Sequence, residues 1–208
     1  MTKVILIGSG NLAKEIEDFI IDTNSLGRKI QVIGNLVEND FKELTLVNSQ
    51  LKIQDISSIK KLKYIFAIGS LLDRERIFNL LDLKDEQLLT LIHPDSHISN
   101  SANIGVGSIV FPNSYVGTNS TIGKFSIVYY GVNIAHDCKI GNFVNLAPGV
   151  CLAGNVTVGD LTSIGTNATL LPKSTVQNNN VVGAGAVVTK NFPSYTTSMG
   201  NPAKIFNS

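Results

Sequence analysis

Aliphatic residues recur at every sixth position over the second half of the chain. From Ile98 to Val188, all sixteen positions in this register are Ile, Leu or Val. A helix returns its apolar face every 3.6 residues and a strand every two, so neither element explains the spacing. The pattern predicts a parallel β-helix of hexapeptide repeats over roughly residues 98–190. Three hexapeptides close one coil, so residues eighteen apart are expected to stack.

The first ninety residues have a different pattern, in which short apolar runs alternate with charged, helix-like stretches. This alternation predicts a small parallel α/β sheet. Strands are expected at 3–7, 30–33, 64–68 and 88–92, and helices at 11–22 and 73–83, with a further short helix considered at 55–61. His93-Pro94 marks the hinge, because the residue before a proline is disfavoured in a helix. The predicted domains are residues 1–93 and 94–208.

Composition and charge narrow the class of partner. The 208 residues carry a formal charge of +1, which indicates neither nucleic acid nor an anionic membrane as a partner. No run of eighteen uncharged apolar residues occurs, and the start is typical of a strand rather than a secretion signal, so a cytoplasmic protein is expected. Cys138 and Cys151 occupy different phases of the repeat, which argues against a disulfide, and no ligand spacing indicates a metal.

The turn after the first predicted strand is a candidate phosphate site. Gly8-Ser9-Gly10-Asn11 opens a G-x-G-x-x-A pattern, in which glycines let backbone amides approach a phosphate at a helix start. A dinucleotide site also needs an acidic residue at the end of the second strand, but the sequence has Gly34-Asn35 at that position. The pattern therefore favours a mononucleotide or nucleotide sugar over NAD, with a purely structural turn as the alternative.

A second candidate segment follows the third predicted strand. Gly69 and Ser70 lie at that strand's end and precede Arg74 and Arg76. Open parallel sheets bind ligands at the carboxyl ends of their strands, which makes Gly69, Ser70 and Arg74 candidate substrate-binding residues. The alternative is that the arginines are solvated helix charges, which is the favoured interpretation for Arg76.

Ionisable residues are scarce in the repeats, and His136-Asp137 is the neighbouring pair that resembles a catalytic base with its carboxylate partner. A carboxylate beside an imidazole can hold one ring nitrogen while the other accepts a proton, as a general base requires. Gly154 lies eighteen residues after His136, so its backbone amide is expected one coil further on, where it could donate to a thioester oxygen as that oxygen becomes negative. The alternative is an ordinary exposed histidine.

The unbroken six-residue register also bears on assembly. It leaves no long loop to wall off a pocket, so a second copy of the chain is needed to complete one. Flat solenoid sides are suited to packing around a three-fold axis. We expect a homotrimer with active sites between subunits.

Several short motifs, in this order, are similar to those of one family. They are Ile7-Gly8-Ser9-Gly10, Ala67-Ile68-Gly69, His93-Pro94, His136-Asp137, Ala153-Gly154-Asn155-Val156, Gly183-Ala184-Gly185-Ala186 and Gly200-Asn201-Pro202-Ala203-Lys204. The chain resembles bacterial left-handed β-helix acyltransferases of the sialic acid O-acetyltransferase and PglD-like sugar N-acetyltransferase type. The resemblance implies a Rossmann-like first domain that holds the nucleotide of a sugar nucleotide, followed by the left-handed β-helix.

The same resemblance assigns roles to residues of the β-helix. It implies acetyl-CoA as donor, His136 as the base that takes a proton from an acceptor amine, Asp137 as its support, and the Gly154 amide at the thioester carbonyl. The residues it implies for CoA binding are Asn145, Ile164, Gly165, Gly183, Ala184, Pro202 and Lys204. Asn145 stands where the best-known relatives carry a second histidine, and Asn35 stands where they often carry an aspartate that holds the nucleoside.

The leading hypothesis is an acetyl-CoA-dependent N-acetyltransferase that acts on the 4-amino group of a nucleotide-linked 4-amino-4,6-dideoxy sugar. The alternative within catalysis is O-acetylation of a sialic acid or a related sugar. A non-catalytic β-helix and an NAD-dependent enzyme are the alternatives from other classes. The sequence leaves open which nucleobase, which sugar stereochemistry and which acyl length the enzyme prefers.

Overall fold

The structure is a computed structural model that describes residues 1–39, 43–49, 59 and 61–206. The chain divides into two compact units, Met1–Leu89 and Thr90–Ser208. The short helix considered for residues 55–61 lies largely outside the described residues.

The first unit is built on a four-stranded sheet. Its spatial order is β3-β2-β1-β4, with β1, β2 and β4 parallel and β3 antiparallel to β2. A 3-10 turn at Asp85–Gln87 follows the second helix. The elements are β1 (Thr2–Ile7), α1 (Asn11–Ser25), β2 (Ile30–Glu38), β3 (Leu44–Val47), β4 (Lys63–Phe66) and α2 (Leu71–Leu81).

The predicted parallel strands are confirmed in place, but the second was predicted too short. It continues through Gly34 and Asn35 to Glu38, because one extra residue is accommodated as the register with β1 shifts between Val4 and Leu6. The antiparallel partner β3 was not predicted. The strand expected at 88–92 was wrong as part of this sheet, since Leu88 makes only an isolated bridge to Tyr64.

The second unit is a parallel β-solenoid of about six turns with three flat faces. Face 1 consists of β5 (Leu91–Ile92), β8 (Ile109–Val110), β11 (Ile127–Val128), β14 (Asn145–Leu146), β17 (Ser163–Ile164), β20 (Val181–Val182), β22 (Thr197–Met199) and β23 (Lys204–Phe206). Face 2 consists of β6 (His97–Ile98), β9 (Tyr115–Val116), β12 (Asn133–Ile134), β15 (Cys151–Leu152), β18 (Thr169–Leu170) and β21 (Val187–Val188). Face 3 consists of β7 (Asn103–Ile104), β10 (Thr121–Ile122), β13 (Lys139–Ile140), β16 (Thr157–Val158) and β19 (Thr175–Val176).

The predicted stacking of residues eighteen apart is confirmed by the strand register. Ile134 pairs with Leu152, and Leu152 with Leu170, along face 2. The sixth-position aliphatic side chains fill the interior, where those from Val110 to Val188 are at most 4% exposed. The solenoid begins at Leu91–Ile92, which pair with Ile109–Val110, one hexapeptide before the predicted start.

Three corners join the three faces of the solenoid. The first corner leads from face 1 to face 2, the second corner from face 2 to face 3, and the third corner from face 3 back to face 1. Backbone hydrogen bonds tie each coil to the next, and the β22–β23 hairpin extends face 1 at the end of the solenoid.

Candidate active site

His136 and Asp137 form the turn between β12 and β13, at the second corner. Asp137 has a φ of 58°, in the left-handed region, which closes the turn tightly. The His136 Nδ1 lies 2.7 Å from the Asp137 Oδ2. Because a carboxylate accepts and does not donate, this contact assigns the proton to Nδ1 and leaves the Nε2 lone pair available.

Asp137 is held from its other side by the preceding coil. The Asn119 Nδ2 donates to the Asp137 Oδ1 over 3.3 Å, and Asn119 is eighteen residues before Asp137. The hydrogen bond from His136, and secondly that from Asn119, lower the pKa of the Asp137 carboxyl below its ordinary value. At neutral pH Asp137 is therefore the carboxylate that a histidine base needs as its orienting partner.

Gly154 lies directly beside the imidazole, as its eighteen-residue offset predicts. A Cβ built on Gly154 would lie 2.5 Å from the His136 Nε2 and 2.6 Å from its Cε1. Only a glycine leaves the ring in this position. Within the part of the chain that the structure describes, the Gly154 N–H has no acceptor, so it is available to a ligand.

The two cysteines differ in environment and neither pairs with the other. Cys151 is exposed on face 2. Cys138 is fully buried behind the second corner, and this burial raises the pKa of its thiol. A protonated, buried sulfur is unsuited to nucleophilic attack.

The residues implied for CoA binding gather along face 1 and the first corner. Asn145 and Ile164 belong to neighbouring strands β14 and β17, while Gly165, Gly183 and Ala184 form turns at the first corner. Pro202 and Lys204 are exposed in the β22–β23 hairpin, which continues the same face. The structure therefore aligns these seven residues but separates them from His136 and Gly154 by the width of face 2.

Close packing of the coils is enough to explain the residue type at several of these positions, without a ligand. The Ile164 side chain is fully buried, so only its backbone could contact CoA. A Cβ on Gly165 would lie 2.6 Å from the Ala184 N, and one on Gly183 would lie 2.9 Å from the Met199 Cβ. Glycine is required at these positions by the stacking distance alone.

In the first unit, a cavity of about 350 Å³ opens at the carboxyl ends of the parallel strands. Gly8 and Ser9 line it, and Ser9 is exposed beside the start of α1. Gly8 has a φ of 112°, and a Cβ there would lie 2.6 Å from the Ala67 carbonyl oxygen, so the turn requires glycine. Gly10 and Asn11 are exposed next to this turn but are not part of the cavity wall as described.

Asn35 differs from its expected role as a substrate contact. It is 2% exposed, and its Nδ2 donates to the Gly8 carbonyl over 3.0 Å. The Asn48 Nδ2 lies 3.4 Å from its Oδ1. Asn35 therefore supports the Gly8 turn from behind, because its polar atoms are committed to the protein.

Residues of the segment after β4 also make hydrogen bonds within the protein. Arg74 is fully buried rather than solvated, and its Nη1 donates to the Ile68 carbonyl over 2.8 Å. Ser70 begins α2 as its N-cap, where its Oγ accepts from the Asp73 N–H over 3.3 Å. Gly69 is exposed and has open space where a Cβ would stand.

Three charged residues of the cavity wall were not predicted as site residues: Glu38, Asp73 and Arg76, the last of which had been interpreted as a solvated helix charge. The Arg76 guanidinium forms two hydrogen bonds to the Glu38 carboxylate, at 2.9 and 2.6 Å. Glu38 is the acidic residue that ends the second strand, and it was overlooked because that strand was cut short at residue 33. The sequence argument against NAD, which rested on the lack of an acidic residue at this strand end, therefore loses its premise.

The described residues show neither a membrane-spanning helix nor a cluster of metal-ligating side chains. None of the helices among them has the length and apolar character of a membrane span. None of the described His, Cys, Asp and Glu side chains form a group of three or more that could hold a metal ion.

Neither a protein-family model nor a curated protein sequence matches the chain. Solved structures do match. The acetyltransferase domain of PglB from Neisseria gonorrhoeae FA1090, in complex with acetyl coenzyme A, is 30% identical, with a TM-score of 0.79 and 98% of each chain covered.

Two further structures come from Caulobacter crescentus. PerB in complex with CoA and GDP-perosamine is 27% identical, with a TM-score of 0.81 over 100% of this chain and 98% of that one. A variant of perosamine N-acetyltransferase with the same two ligands is 25% identical, with a TM-score of 0.80 and the same coverage. The likeness spans both units of the chain.

Proposed function

This chain belongs to the hexapeptide-repeat sugar acetyltransferases, and we propose that it transfers the acetyl group of acetyl-CoA to the 4-amino group of a nucleotide-linked 4-amino-4,6-dideoxy sugar. The observation that carries the proposal is the contact of His136 with both Asp137 and Gly154 at the second corner. Two of the similar structures, both from Caulobacter crescentus, contain CoA and GDP-perosamine, which supports a nucleotide sugar as acceptor.

The chemistry follows from three groups at the second corner. The acceptor amine attacks the thioester carbonyl carbon while the His136 Nε2 takes the amine's proton. The carbonyl electron pair moves to oxygen, where the Gly154 N–H stabilises the developing negative charge. Collapse of this intermediate breaks the C–S bond, and the imidazolium returns its proton to the departing CoA thiolate. Asp137 keeps the ring oriented and stabilises its charged form.

We infer that the active site lies between subunits of a homotrimer of left-handed β-helices. The candidate CoA residues follow face 1 and the first corner, while His136 and Gly154 occupy the second corner. A thioester carried along one subunit's first corner can then meet the base of a neighbour. Light scattering tests this assembly, for which a mass of three 22.3 kDa chains is expected. A fully active monomer would contradict it.

The first unit, which we propose is Rossmann-like, holds the nucleotide of the acceptor. The backbone amides of the Gly8-Ser9 turn and the start of α1 are suited to phosphate, because a helix N-terminus is partially positive. Glu38 and Arg76 supply charged groups to the same cavity of about 350 Å³. Asn35 and Arg74 contribute indirectly, by holding the backbone of the neighbouring strand ends.

A panel of dTDP-, UDP- and GDP-linked 4-amino sugars, assayed for thiol release from acetyl-CoA, tests the function. His136→Ala should reduce kcat by about 100-fold to 10,000-fold, the usual contribution of a general base. His97→Ala is the matched control, since His97 is also exposed on the solenoid but stacks on Tyr115 at 5.1 Å. Acetylation of free sialic acids alone would overturn the N-acetyl assignment in favour of O-acetylation, and unchanged turnover of His136→Ala would remove the base.

A further inference from the structure

The buried thiol of Cys138 contacts the peptide group that precedes Gly154. Its Sγ donates to the Ala153 carbonyl oxygen over 3.1 Å. A second, longer contact of 3.7 Å joins the sulfur to the His136 carbonyl oxygen. The thiol thus lies behind both residues to which the reaction is assigned.

This contact fixes the direction of the Gly154 N–H. The Ala153–Gly154 peptide bond is not among the cis bonds of the described chain, and in a trans peptide the C=O and the N–H point in opposite directions. Cys138 is fully buried, so the Ala153 carbonyl that it binds points toward the interior. The Gly154 N–H must therefore point outward, to the side where the His136 ring lies.

Hydroxyl side chains perform the same task elsewhere in the solenoid. At the position that Cys138 occupies in its hexapeptide, Ser120 donates to the Ala135 carbonyl over 2.7 Å, and Thr162 donates to the Gln177 carbonyl over 3.0 Å. Each of these donors acts on a carbonyl fifteen residues further on. Other hexapeptides have valine at this position, including Val144 and Val156, which are fully buried without distorting the coil.

We propose that Cys138 is a positioning residue for the acetyl transfer, which aims the Gly154 N–H at the thioester oxygen by holding the Ala153 carbonyl. The inference rests on the proposed function, because it needs Gly154 to act on the developing oxyanion. The thiol is not a nucleophile in this role and forms no covalent bond. Burial raises its pKa, so the S–H that makes the contact is retained at neutral pH.

Three substitutions separate hydrogen bonding from packing. Cys138→Ser keeps a donor of the kind that Ser120 already provides, and its kcat should stay within about twofold of wild type. Cys138→Val and Cys138→Ala lack the donor, and kcat should fall about fivefold to tenfold in both, as expected for one lost hydrogen bond. The KM values for acetyl-CoA and nucleotide sugar should change by less than about twofold.

Thr162→Val is the matched control, because it removes the equivalent donor at the third corner while keeping the side-chain volume. Its kcat should equal that of wild type. Wild-type kcat in Cys138→Val and Cys138→Ala, an equal loss in Cys138→Ser, or an equal loss in Thr162→Val would each overturn the positioning role.

A readout independent of turnover distinguishes this inference from the proposed function. In protein labelled with 15N-glycine, the Gly154 amide resonance is identified by its absence from Gly154→Ala. Its chemical shift should be kept in Cys138→Ser and moved in Cys138→Val. An inactive wild type would overturn the proposed function, whereas an unmoved resonance in Cys138→Val would overturn the inference even if wild type is active.

Discussion

Replacing Gly154 by alanine tests the geometry of the second corner directly. The added Cβ would lie 2.5 Å from the His136 Nε2 and 2.6 Å from its Cε1. Carbon atoms pack at about 3.5 to 4.0 Å, so the ring must move by about 1 Å. The side chain of His136 is 60% exposed, so it can swing outward at little cost to the fold. A misplacement of this size is expected to lower kcat about 100-fold.

Gly117→Ala provides the contrast, because Gly117 lies at the same corner about two coils earlier, on the other side of the coil that carries His136. A Cβ there would lie 2.7 Å from the Ala135 carbonyl carbon, which is backbone and cannot swing away. Overpacking of this kind costs about 1 to 3 kcal/mol, which lowers Tm by several degrees in a chain of this size. Gly154→Ala should therefore lower kcat and leave Tm unchanged, whereas Gly117→Ala should lower Tm.

Thiol release with acetyl-CoA and the preferred nucleotide sugar, together with thermal unfolding, measures both effects. The alanine at 154 keeps its backbone N–H, so the loss reports the displaced imidazole. If Gly154→Ala retained kcat within threefold of wild type, His136 could not be acting from the position in which it lies. An equal drop in Tm for the two variants would refute the distinction between a side-chain and a backbone clash.

Two further substitutions probe the supporting contacts. Asn119→Ala should raise the pKa of the Asp137 carboxyl toward its ordinary value, because that pKa is lowered first by the hydrogen bond from His136 and secondly by the one from Asn119, which the substitution removes. An NMR titration of the Asp137 carboxyl would measure the change, and an unmoved pKa would contradict the contact. Arg74→Met leaves the Ile68 carbonyl without this donor and should lower the free energy of unfolding by about 1 to 3 kcal/mol in urea, with His97→Ala unchanged.

The solenoid was predictable because its contacts repeat at one fixed interval. Knowing that residues eighteen apart stack is enough to place Gly154 beside His136, and the same arithmetic places Asn119 beside Asp137. The start of the solenoid was predicted one hexapeptide too late, although Ile92 fits the six-residue spacing of the aliphatic positions. The run at 88–92 is apolar, and such a run also suits a strand of the preceding sheet.

The first unit was less predictable, because its strand ends depend on an irregularity. Gly34 has a φ of 155°, and its neighbourhood absorbs the extra residue that lets β2 continue to Glu38. A glycine followed by asparagine is equally typical of a turn, so hydrophobic alternation could not show the continuation. Nor could it show that Asn35 would be buried against Gly8, since that contact joins strands far apart in sequence.

The separation of the predicted site between two corners also follows from the eighteen-residue interval. His136 and Gly154 differ by one full coil and share a corner, as do Gly165 and Gly183 at theirs. The interval from Gly154 to Gly165 is not a multiple of eighteen, so stacking cannot bring the two sets together. In the proposed function, a donor bound at the first corner of one chain therefore meets the base at the second corner of another. The periodicity that makes the fold regular thus keeps the two predicted sets of residues at different corners of each chain.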